Sequence, residues 1–174
     1  MKLLSIRFCI IFLLLSGKIF SQITTAVTLP VVTLLDIEPT GSIAMNFVAP
    51  TEAGLALTNP AVNTTKWVNY TSAIAAGGLT RRVTASINQT IPGIDIKLQA
   101  AAASGAGGGT LGTPTAQVTL TTTSVNIITG IGGAFTGNGA NNGHRLTISL
   151  VRNTYANLSA RTNTPVVITY TITE

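Results

Sequence analysis

Gly130 to His144 reads GIGGAFTGNGANNGH, and no other stretch of the chain looks as much like a site. Its fifteen residues hold six glycines, three asparagines and the only histidine of the chain. A glycine-rich turn can cradle a phosphate on backbone N–H groups when it comes after a strand and opens a helix. The Gly-x-Gly-x-x-Gly spacing fails here. From Gly130 and Gly132 the third position is Phe135, and from Gly137 and Gly139 it is Asn142. The stretch runs into the strand-like HRLTISL, not a helix. Gly and Asn both tolerate positive φ, so their density predicts consecutive tight turns. The stretch reads as a turn region over one end of the fold, with Phe135 as a plug and His144 opening the next strand.

Other chemistry is thinly supplied. A Ser–His–acid triad needs a histidine, and His144 sits in phase with Leu146 and Ile148. A histidine that ends an apolar row is expected to tuck under a loop with its ring hydrogen-bonded. Asp36, Glu38, Glu52, Asp95 and Glu174 are the acids. None forms the facing pair that glycoside hydrolysis uses. Asp95, between Ile94 and Ile96, reads as a solvated partner of Lys97 or of a neighbouring strand. Zinc needs several His or Cys ligands and calcium needs grouped carboxylates. The expectation is therefore no catalytic residue, no metal and no cofactor. Aromatic rings can stack on sugars. Trp67, Tyr70 and Tyr155 are candidates for that role, with packing as the competing role.

The elements that must position these residues are strands. Apolar and polar residues alternate in SIAMNFV, LTRRVTASI, IDIKLQA, RLTISL and PVVITYTIT. One apolar and one polar face predicts antiparallel strands with a wet side. KWVNYTSAI adds another, with Val68 and Tyr70 in phase and Trp67 on the opposite parity. ITTAVTLPVVTLLDIEP is broken by Pro30, which predicts an edge strand or two short strands. AQVTLTTTSVNII changes phase, which predicts a bulge or tight turn near Thr121 to Ser124. SGAGGGTLGTP reads as a floppy hairpin loop. Eight or more short strands divided by Gly, Pro and Asn turns predict an all-β sandwich over residues 22–174.

Residues 1–21, MKLLSIRFCIIFLLLSGKIFS, have the order of a secretory signal peptide: basic, apolar, then small and polar. The run Phe8–Leu15 is too short for a membrane span, which needs about 20 residues. Cleavage after Ser21 removes Lys2, Arg7 and Lys18 and takes ten basic residues to seven. Against five acids the net charge drops from +5 to +2. The remaining basic residues are scattered, so no nucleic-acid surface is expected. Cys9 leaves with the same segment, so the mature chain has no disulfide and depends on packing alone.

The segments EPTGSIAMNFVAPTEAG, TKWVNYTSAI, TRRVTASI, GIGGAFTGNGANNGH and VVITYTITE give the mature region a resemblance. It resembles fimbrial-subunit and spore-coat-U-like families, in particular secreted relatives of Bacteroidetes-type bacteria. That resemblance implies an immunoglobulin-like sandwich, a periplasmic, surface or extracellular location and no catalysis. The expected function is a structural or adhesive surface protein, with a secreted carbohydrate-binding module as the alternative. Its expected partners are other copies or surface subunits, through strand addition by Ile23 to Ile37, or glycans. Trp67, Tyr70, Tyr155, Phe135 and His144 are the residues expected at a ligand or assembly surface.

Overall fold

β-branched and aliphatic residues at alternate positions, joined by glycine-rich segments, build nine strands in the computed structural model, which describes residues 22–174. The signal-peptide reading falls on residues 1–21, outside the described residues. The strands are β1 (Val32–Glu38), β2 (Asn63–Ala73), β3 (Arg81–Ile87), β4 (Ile94–Ser104), β5 (Gly108–Pro114), β6 (Val118–Thr119), β7 (Val125–Phe135), β8 (Gly143–Arg152) and β9 (Ile168–Thr173). Every pairing is antiparallel. The order is β6-β4-β8-β2-β7-β3-β9, with β1 on β2 and β5 on β7. No helix among the described residues is long and apolar enough to cross a membrane.

The predicted faces hold where strands pair. Val83, Ala85 and Ile87 of β3 are buried, as are Ile96, Leu98 and Ala100 of β4 and Leu146 and Ile148 of β8. They join Val68, Ile127, Ile128 and Ile131 in one core. A fully buried aliphatic side chain such as Leu98 contributes about 1.5–3 kcal/mol. The phase change after Leu120 is a tight turn, in which the Thr121 hydroxyl accepts from Thr123 N at 3.1 Å.

Three expectations change. SIAMNFV keeps its alternating burial, and Ile43 and Met45 pack on the core, yet it pairs only through a single bridge, Val48 to Thr58. Leu79 lies outside β3 and is exposed. The supposed floppy loop is β5, and the first half of the supposed turn region, Gly130–Phe135, belongs to β7. These two glycine-rich segments pair with each other, Gly108 with Phe135 and Leu111 with Ile131. Glycine is needed there because the strands approach too closely for a side chain. A Cβ on Gly109, whose φ is +87°, would lie 2.2 Å from the Gly133 carbonyl oxygen.

The register also orders the edges. Thr71 of β2 and Arg81 of β3 both pair along the side of β7 that β5 leaves free. β1 covers β2 beyond them and β9 covers β3. β9 ends at Thr173, opposite Arg82, and β1 begins at Val32, opposite Ala73. The two strands thus lie end to end along one edge. Arg81, itself buried, seals the joint by donating to the Val32 carbonyl and, at 3.1 Å, to Ser72 Oγ. At the other end of β1, the Lys66 ammonium donates to the carbonyls of Pro39 and Gly41.

Candidate functional site

Of the five side chains singled out in the sequence, the fold brings together Tyr70 and His144. Both sit on inward-facing positions, Tyr70 in the middle of β2 and His144 at the start of β8. The edge of β2 forks here. Val68 pairs with His144 of β8, while Thr71 and Ser72 pair with β7. Thr136 fills the fork: its N–H donates to the Tyr70 carbonyl at 3.0 Å, and its hydroxyl accepts from Tyr70 N at 2.9 Å. Gly143 lets the chain in. Its φ is +76°, and a Cβ there would lie 2.2 Å from the Val68 carbonyl oxygen.

The His144 ring is fully buried and stacks on Tyr70, with centroids 5.7 Å apart and an interplanar angle of 21°. Its Nδ1 lies 2.8 Å from the Ala101 carbonyl, freed where β4 slips register between Ala100 and Ala103. A carbonyl only accepts, so Nδ1 carries the hydrogen. Nε2 lies 2.9 Å from the Tyr70 hydroxyl and 3.2 Å from the Leu111 carbonyl of β5. In the neutral imidazole Nε2 is an acceptor. The Tyr70 proton then serves either Nε2 or the Leu111 carbonyl, to which the hydroxyl also bonds.

Burial lowers the basicity of His144, and the Ala101 and Leu111 carbonyls oppose that by less. Burial also pushes the Tyr70 hydroxyl up. Both groups are therefore neutral near pH 7. The pair ties β2, β8 and β4 to β5. Its partners are carbonyls and each other, so the geometry holds the ring and does not present it to a substrate.

The other three candidates are dispersed. Phe135 is exposed at the end of β7, with its ring over Gly108, so it does not plug the fold. Trp67 is half-buried between Glu38 and Arg145 in register. Tyr155 is exposed in a single 3-10 turn, and its hydroxyl accepts from Leu57 N at 3.4 Å. Tyr70 and His144 are buried within the fold, away from its surface.

Two features escaped the sequence reading. One is buried Asn69, whose Nδ2 donates to the Asn142 carbonyl at 2.7 Å while its buried Oδ1 has no partner. The other is a cleft of about 300 Å³ beside Asp95 and Asn153. No spacing signal marks either, because their neighbours come from distant strands.

An exposed apolar arm is formed by residues 22–31, which pair with no strand. Ile23, Val27, Leu29 and Val31 are 91, 76, 86 and 62% exposed. No family model, curated protein or solved structure matches the chain.

Proposed function

We propose that the chain is an exported, non-catalytic surface subunit, structural or adhesive, that associates with further copies by strand addition. One observation carries the reading. The arm has a strand's alternation, Ile23, Val27, Leu29 and Val31 sharing one parity, yet it pairs with no strand of its own sheet. Its in-line place beyond Val32 is taken by the end of β9. Unpaired apolar strands are templates for pairing with another chain. β9 and β5 each pair with one strand only and offer outer edges to a second copy.

The donor segment is shorter than Ile23 to Ile37. Val32–Glu38 is integral to the sheet as β1, with Leu35 and Ile37 packed on the core. The fork of β2 between β8 and β7, with both halves of the sheet feeding one core, supports a sheet folded over as an immunoglobulin-like sandwich. The basic and apolar order of residues 2–21 supports export.

The test compares the mature chain with a variant lacking residues 22–31, by sedimentation and by electron microscopy of cell-surface fractions. The mature chain should self-associate and form fibres or aggregates of defined width. The shortened chain should stay monomeric with an unchanged fold. A mature chain that is monomeric at high concentration and absent from the surface overturns the reading.

A further inference from the structure

A second feature lies at the end of β3 away from Arg81. Ile87 closes β3, and its N–H donates to the Thr121 carbonyl at 2.9 Å. Leu120 N donates to the Ile96 carbonyl at 2.8 Å, and Asn153 N to the Gly93 carbonyl at 3.0 Å. These bonds fix three walls around the cleft of about 300 Å³. Gly93, with φ +81°, lets the third wall close, since a Cβ there would lie 2.8 Å from Leu158 Cδ2. The cleft is thus built from β3, the β3–β4 connection, β4, β6 and the segment after β8.

Its chemistry is selective. Ile91, Pro92 and Ile94 supply accessible apolar surface, over the buried Ile87 and Leu120. Asp95 is the only carboxylate in the lining, and the lining has no Lys, Arg or aromatic residue. Asn153 Nδ2 donates to Asp95 Oδ1 at 2.6 Å and orients the carboxylate. A carboxylate has about four lone-pair sites, so Asp95 keeps capacity for further donors. Asn157 and several threonines bring neutral donors and acceptors. An anion meets an unpaired carboxylate with no cation to offset it. A metal ion meets one carboxylate where such ions are held by several oxygen ligands. A neutral polyol fits best: its hydroxyls donate to Asp95 and exchange bonds with the amides and threonines, and its C–H face lies on the aliphatic surface. The volume stands at the lower end of small-molecule sites, about 300–1,000 Å³, which suits a single sugar ring. We infer that this cleft binds one neutral saccharide unit, through Asp95 and Asn153. It is separate from the arm and stands or falls independently of strand addition.

The experiment is a titration of the isotope-labelled mature chain by nuclear magnetic resonance. The probes are glucose, galactose, mannose and N-acetylglucosamine, with glucuronate and glucosamine as anionic and cationic counterparts. At least one neutral sugar should shift the amides of residues 93–96 and 153–157, and glucuronate should not. Asp95→Ala and Asn153→Ala should weaken that binding tenfold or more, while Trp67→Ala, remote from the lining, leaves it unchanged. If Asp95→Ala disturbs the fold, the isosteric Asp95→Asn carries the same expectation. No shift at the cleft with any neutral sugar overturns the inference. So does binding that survives both Asp95 variants, or glucosamine bound tighter than every neutral sugar.

Discussion

Acidification isolates the Tyr70–His144 pair, because His144 is the only histidine. No other side-chain type ordinarily titrates between about pH 5 and 7. Burial holds the folded His144 below its usual 6.5, against a smaller opposing effect of the Ala101 and Leu111 carbonyls. The unfolded chain takes up its proton near 6.5. Between those two values the unfolded state binds more protons, so stability is complete above 6.5 and is lost as pH falls. One proton sets a ceiling of about 1.4 kcal/mol per pH unit. For an imidazole that stays neutral when folded, lowering the pH from roughly 6.5 to 5.5 removes about 1 kcal/mol. That lowers the melting midpoint by about 2–4 °C in a chain of this size. The assay is thermal unfolding followed by circular dichroism at half-unit pH steps, on residues 22–174 and on the same chain carrying His144→Gln. The wild type should lose stability toward acid. His144→Gln should begin about 1–3 kcal/mol lower, because the buried Tyr70 and backbone partners are left imperfectly paired, and then stay flat through the window. A flat wild-type profile, or equal slopes in the two proteins, would refute the reasoning.

Tyr70→Phe keeps the stacked ring but removes the hydroxyl shared by His144 Nε2 and the Leu111 carbonyl. It should cost about 1–3 kcal/mol in urea unfolding, with a loss under about 0.5 kcal/mol counting against the shared bond. Within the glycine-rich strands, Gly109→Ala should lower stability by more than about 2 kcal/mol, since it adds left-handed strain to a contact at 2.2 Å. Gly133→Ala meets nothing within 4 Å and should be tolerated. Equal melting midpoints for the two alanine variants would show that β5 does not approach β7 as described.

Period-two alternation determined the strand class by itself, since a strand with one buried face needs apolar residues at every second position. That pattern marks Ile96 and Leu98 in β4, and Leu146 and Ile148 in β8, without reference to any partner. It also placed His144 on an inward row; the break at Pro30 predicts an edge strand or two short strands, and one strand, β1, forms after it and pairs only with β2. The glycine-rich strands were not legible, because their signal is an absence of side chains. Loop and close-packed strand both select glycine, and only the facing backbone at Gly133 distinguishes them for Gly109. SIAMNFV shows the converse. Its alternation is real, but pairing depends on a free edge that a local pattern does not encode. The His144 ring met Tyr70, Ala101 and Leu111 through contacts 33 to 74 residues apart in sequence. The cleft at Asp95 and Asn153 rests on a contact across 58 residues. Local chemistry wrote the strands, and long-range register decided which side chains became a staple, which a cleft and which an unpaired arm.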